Sequence, residues 1–375
     1  MGFPRSRYVK EGQEGVYHCF SRCVRRAFLY GFDAFTRRDF SHRKTWLVER
    51  LRYLASIFAV DVCAYAVMEN HYHTILRTRP DIVAGWSDLE VATRWLTLCP
   101  PRRKLKRTSI IPAENEIGAL ADCPERIAQL RLRLCSLSWF MAKLNEFISR
   151  AANKEDRVKG RFWESRFQCQ ALLDEAAVAT CMVYVDLNLI RANLAATPEE
   201  SDFTSIQERI RAWQKECMTT ASVPRQEPHD IPSVPFDRDI QIPDKADELS
   251  NPTLKSASPI KNSFDGTSLS TSWLCPIQSD FQRRGILQMP ATEYFDLVDR
   301  SARIMRSDKR GAMDADLKPI LLRIGANPEA WLQTITHFGS RFRVAAGLHS
   351  NLRAFADQLG NRWLKGIAMA RAAFA

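Results

Sequence analysis

Two histidines one residue apart, His71 and His73, head the segment His71–Arg77 (HYHTILR), whose composition predicts a β-strand. A strand turns successive side chains to opposite faces, so both imidazoles point one way and Tyr72 the other. Two imidazoles on one face make half of a divalent-metal site; a chance His-x-His on an exposed strand is the plain alternative. Further along, Tyr184 and Asn188 lie in a segment that reads as a helix from the N-cap Asp174 to about Arg191. Their i, i+4 spacing puts both on one helix face. Val178, Met182, Val185 and Leu189 form the adjacent apolar stripe, which sets Tyr184 and Asn188 at the rim of the buried face. There an amide oxygen would complete a His-His-Asn metal site, with the phenol beside the metal. On these residues alone, an ordinary half-buried tyrosine and an asparagine near a helix end explain the pattern more simply.

The elements needed to position these groups are legible. Val16–Arg22 reads as a strand. Thr45–Val60 reads as an amphipathic helix, with Leu47, Leu51, Leu54 and Phe58 on one stripe. Asp61–Val67 is a short apolar run, and Met68-Glu69-Asn70 is a turn joining it to His71–Arg77 as a hairpin. Residues 80–135 look like an insertion with some helix, carrying a basic cluster at 102–107. Ser136–Ala152 reads as a helix and Gly160–Leu173 as extended chain. Prolines crowd between Pro224 and Pro259 among Ser, Asp and Lys, the composition of a linker. Helical periodicity returns at Glu293–Met305, Ala315–Ile324, Pro328–Phe342 and Ser350–Leu359. The expected organisation is α+β: an antiparallel sheet with flanking helices over 1–215, a linker over 216–271, and a mainly helical domain over 272–375, itself a candidate DNA-binding domain.

The whole chain bounds the partners. Its 375 residues, 45% of them hydrophobic, suffice for a large core, which excludes a disordered or fibrous protein. A net charge of +11 favours a polyanion such as nucleic acid. Ten cysteines without a Cys-x-x-Cys pair suit reduced thiols in a cytoplasmic protein. No apolar run approaches the length of a membrane span. No Gly-x-x-x-x-Gly-Lys-Ser/Thr loop and no Gly-x-Ser-x-Gly elbow occurs, which argues against a phosphate-loop NTPase and a serine hydrolase.

Several segments in order resemble the REP-associated tyrosine transposases, single-tyrosine members of the HUH superfamily. Val16-Tyr17-His18 with Ser21-Arg22 resembles the first strand, and Val67–His73 (VMENHYH) resembles the Met-Pro-Asn-His-hydrophobic-His element. Gly160–Phe167 (GRFWESRF) resembles the Gly…Trp-Gln-x-Arg-Phe segment, and Tyr184–Ala192 (YVDLNLIRA) resembles Tyr-Ile-x-x-Asn-Pro-Val-Arg-Ala. The likeness covers roughly residues 9–215. Glu69 and Leu189 replace two family prolines, and without the second the helix is expected to run on through Arg191.

The resemblance implies an HUH fold and an enzyme of DNA transposition and recombination that nicks and rejoins single-stranded DNA at palindromic hairpins. Tyr184 would attack phosphorus and form a 5′-phosphotyrosine intermediate. His71, His73 and Asn188 would hold Mg²⁺ or Mn²⁺. Arg161, Arg166 and Lys159 would meet DNA, while His18 would contact substrate or make a structural hydrogen bond. The protein would act as a monomer or a dimer. Phe162, Trp163 and Phe167 are read as core. A non-catalytic nucleic-acid-binding regulator on the same fold and an unrelated metallohydrolase built on His71 and His73 are the competing readings.

Overall fold

The computed structural model describes residues 4–24, 31–33, 37–100, 111–221, 273–305 and 327–373. The basic cluster at 102–107, the proline-rich segment and the helix expected at 315–324 lie outside them. The described residues up to 211 and those from 273 on belong to one compact unit.

Five strands make the main sheet: β1 (Gly15–Arg22), β4 (Val60–Val67), β5 (His71–Thr78), β6 (Gln168–Leu172) and β7 (Ala345–Ala346), in the order β4-β5-β1-β6-β7. The remaining strands, β2 (Phe32–Asp33) and β3 (Arg38–Asp39), pair only with each other. All neighbours in the main sheet are antiparallel except β6 and β7. This is the expected mixed fold, with an antiparallel sheet, flanking helices and a helical C-terminal region. The β4–β5 hairpin forms because β-branched and aromatic residues flank a tight turn. Phe20 pairs with His73, and Ser21 with Tyr72, so β1 and β5 share their alternation.

Helix α1 (His42–Ile57) buries Leu47, Leu51 and Leu54, and α6 (Leu137–Glu155) buries Phe140, Met141, Leu144 and Ile148. Burying each such side chain stabilises the fold by about 1.5–3 kcal/mol. Ser136 caps α6 by accepting from Trp139 N at 3.4 Å. Between these, α2 (Pro80–Ala84), α3 (Asp88–Leu98), α4 (Glu114–Ala121) and α5 (Pro124–Leu134) occupy the predicted insertion.

Helix α7 (Glu175–Asp186) packs on β4, β5 and β6. Asp174 caps it as expected, accepting from Ala177 N at 2.9 Å. Leu187 breaks the helical run for one residue, and α8 (Asn188–Arg191) continues it. Every residue from Ala176 to Asp186 is buried, so Tyr184 does not sit at a rim. The residues of α7 are apolar all round, the mark of a helix covered on both sides.

The second cover is supplied by helices of the region 272–375, read from the sequence as a separate domain. Past α9 (Ser205–Ala221), α10 (Ala291–Met305) and α11 (Pro328–Arg341) both pack on α7. Asn327 caps α11 by accepting from Glu329 N and Ala330 N at 2.9 and 3.0 Å. Leu274 bridges to Val62, and β7 extends the sheet beside β6. Helices α12 (His349–Gln358) and α13 (Ile367–Ala373) close the unit. Among the described residues, no helix is long and apolar enough to cross a membrane.

Candidate active site

The sheet face beneath α7 carries three imidazoles. His71 and His73 lie with ring centroids 5.0 Å apart, edge to face. His18, on the neighbouring strand, stacks on His73 at 5.1 Å. His18 Nε2 and His73 Nδ1 are 2.9 Å apart, and His18 Nδ1 lies 3.4 Å from Gln170 Oε1. With Gln170 presenting its amide oxygen, His18 donates from Nδ1 and accepts at Nε2 from His73 Nδ1. That chain leaves the Nε2 lone pair of His73 available. His71 donates from Nδ1 to Asn70 Oδ1 at 2.6 Å, which leaves its Nε2 available as well. His18 therefore makes the structural hydrogen bond of its two expected roles.

Burial keeps these rings neutral. It pushes His18 and His71 down to about 4, with Arg22 adding to the effect at His71. His73 is also lowered well below the ordinary range, first by burial and then by the neighbouring His18, His71, Arg191 and Arg22. Neutral imidazoles whose Nδ1–H groups are held by a second partner are in the state a metal requires.

Tyr184 lies over the same face, its ring centroid 5.7 Å from that of His73 and 5.9 Å from that of His18. The Arg191 guanidinium stands 4.6 Å from the centroid of the Tyr184 ring. Burial raises the phenol above its ordinary pKa, and the charge and hydrogen bond of Arg191 pull the other way. Asn188 is buried and its Nδ2 has no hydrogen-bond partner. An orphaned amide in a buried site is a place for a ligand, and amide orientation interchanges its oxygen and nitrogen. Among the described residues no group of three or more His, Cys, Asp and Glu is suited to a metal. The donors of metal-binding type are therefore two imidazoles on the sheet face and, on α8, one unpartnered amide.

Helix α11 covers the phenol. Tyr184 is 9% exposed, and the Phe338 ring lies 5.5 Å from its centroid. A Cβ on Gly339 would sit 2.9 Å from the Tyr184 hydroxyl. Arg191 Nη2 donates to Thr336 O at 2.7 Å, tying α8 to the same helix. As seated, α11 holds the phenol buried.

Lys159, Arg161 and Arg166 are exposed, whereas Phe162, Trp163 and Phe167 are core as expected. The charges felt at the imidazoles come instead from Arg22 and Arg191. Arg191 was legible as the i+7 partner of Tyr184, two turns along one face. Gln170 and the Phe338–Gly339 pair had no local signal, because each meets the site through tertiary contact.

No protein-family model matches the chain, and no curated protein matches it significantly. One solved structure is similar, a REP-associated tyrosine transposase bound to a REP hairpin. It is 12% identical, with a TM-score of 0.34, over 58% of this chain and 87% of that one. At that score the likeness is distant and carries no functional argument.

Proposed function

We propose that the protein is a metal-dependent DNA-nicking and joining transposase acting on single-stranded, hairpin-forming DNA, with Tyr184 as nucleophile. The observation that supports it is the meeting of a tyrosine with two neutral imidazoles that keep their Nε2 lone pairs. His71, His73 and Asn188 would hold Mn²⁺ or Mg²⁺, and the nitrogen-rich donor set suits Mn²⁺ better. When bound, the ion would supply charge neutralisation at the scissile phosphate.

The chain's own residues do the rest. Tyr184 Oη gives up its proton as it bonds to phosphorus, the bond from phosphorus to the 3′ oxygen breaks, and the departing oxygen takes up one proton as a 3′-OH, so protons balance. Arg191 favours the phenolate by charge and by hydrogen bond. His18 fixes the ring of His73 from behind. A later 3′-OH reverses the step, and the phosphotyrosine conserves the bond without ATP. The reaction requires α11 to move off the phenol.

The burial of Tyr184 is also the observation that favours a second reading, a hairpin-binding regulator that does not cleave. One experiment separates them. Labelled hairpins from the palindromes flanking the gene are incubated with Mn²⁺ or Mg²⁺ and resolved under denaturing conditions. A covalent protein–DNA band given by wild type and lost in Tyr184→Phe, in His71→Ala and without metal is the expected result. Tight hairpin binding with no band would select the regulator.

A further inference from the structure

The opposite face of the sheet carries a second feature. Residues 4–11, the stretch 165–169 leading into β6 and residues 343–344 leading into β7 border an open groove of about 870 Å³. Cys169 lines it, while the next residue, Gln170, meets His18 on the other side. The groove and Tyr184 thus lie on opposite faces of one sheet.

Four cations, Arg5, Lys10, Arg166 and Arg343, line this groove together with a single carboxylate, Glu11. Arg5 is fixed in place: its guanidinium stacks 3.6 Å from the Phe167 centroid, and Nη1 donates to Phe167 O at 2.8 Å. Arg166 is close enough for its charge to disfavour that of Arg5, an effect that adds to the larger one of burial. Lys10, Arg166 and Arg343 are exposed, and none of them has an ion pair among the described residues. Elsewhere the fold pairs its arginines, as in Arg43 with Glu155 and Asp156 and Arg77 with Asp61. Here four like charges from three distant chain segments converge around one carboxylate, which leaves a local positive excess that favours a polyanion.

We propose that this groove holds a stretch of single-stranded DNA by its phosphate backbone, on the sheet face away from Tyr184. A strand fits better than one compact anion because the cations come from three segments around an open groove. It fits better than an acidic peptide because the half-buried apolar lining residues Val9 and Val344 offer contact for flat bases between the phosphates. The choice of DNA rests on the proposed function, but the binding itself requires neither metal nor cleavage.

The test uses the full chain in EDTA, where nicking cannot interfere, and a fluorescein-labelled 20-nucleotide DNA strand with no hairpin, titrated by anisotropy at several KCl concentrations. Lys10→Ala/Arg343→Ala is expected to bind roughly tenfold more weakly, with the slope of log K against log salt reduced by about 1.4. Arg126→Ala/Arg371→Ala removes the same net charge elsewhere and is expected to bind as wild type does. Three results would each overturn the proposal: an unchanged affinity and slope in the groove variant, an equal loss in the control, or no strand binding by wild type. Tighter binding of an RNA strand of the same sequence would overturn the assignment to DNA. Because the assay is blind to the phosphotyrosine, a covalent band with an indifferent groove sinks only this proposal, and groove binding without a band sinks only the nicking reaction.

Discussion

At Tyr184 burial and charge act against each other. Burial holds the phenol protonated, and Arg191 favours its ionised form, so uncovering the side chain would favour the ionisation that the proposed reaction needs. The imidazoles below it carry a pH signature of their own. The folded-state values of His18 and His71, about 4, lie below the ordinary 6.5. The unfolded chain therefore binds more protons between those values, and stability falls as pH drops from 6.5 towards 4, by roughly 3 kcal/mol for each ring. Asp186 opposes them: burial raises it to about 6, so its contribution is present in acid and is lost as pH rises through 6. With His73 also lowered, the histidines outweigh the single carboxyl. Thermal melts from pH 7 to 4.5 are expected to show a falling midpoint, shallower in His18→Gln and steeper in Asp186→Asn. A midpoint that rises on acidification would contradict the neutral imidazole chain. His71 and His73 were legible in the sequence because strand alternation is local. Gln170 was not, since its importance arises only from what the fold brings to it, and Arg191 offered only its i+7 spacing from Tyr184.

Among the elements, α11 decides whether the site is open. It sits close to α7 because residue 339 has no side chain, and the phenol hydroxyl occupies the space that a Cβ would need. Gly339→Ala gains about 1 kcal/mol of helix propensity and meets an overpacking penalty of about 1–3 kcal/mol. The helix has to give way at that contact. The expected result is several-fold faster nitration of Tyr184 by tetranitromethane, with the melting midpoint lowered by a few degrees at most. If the variant also forms the covalent DNA band faster, the cover limits the reaction. Unchanged nitration would mean that α11 does not control access to the phenol. The sequence pattern placed both helices within a few residues of their ends, through the Asp174 cap on one and the apolar periodicity over Pro328–Phe342 on the other. The occlusion was hidden because periodicity reads one buried stripe per helix. The clue lay in α7 itself, whose alanines and valines leave no polar side for solvent.

For the molecule as a whole, the question is whether the C-terminal helices form a domain or complete the first one. The composition break after α9 suggested a domain boundary, and a proline-rich stretch between two periodic regions is ordinarily a good sign of one. Packing links the regions nonetheless. Asp186 of α7 accepts at 2.6 Å from Ser205 Oγ and at 2.6 Å from Tyr294 of α10, both fully buried. Asp174 caps α7 with one oxygen and accepts from Leu348 N with the other. Without these partners α7 would expose an apolar face and a carboxylate already raised by burial. Cooperative folding of both regions follows, and calorimetry is expected to give one transition with a van't Hoff enthalpy close to the calorimetric one. Tyr294→Phe leaves one oxygen of a buried carboxylate without a donor, at a cost of about 1–3 kcal/mol. If residues 1–211 and 271–375 melt together, that single change in α10 lowers the midpoint of the whole transition by a few degrees, β-sheet signal included. Two transitions, of which only one responds to Tyr294→Phe, would instead restore a separate C-terminal domain and make α11 a detachable cover over Tyr184.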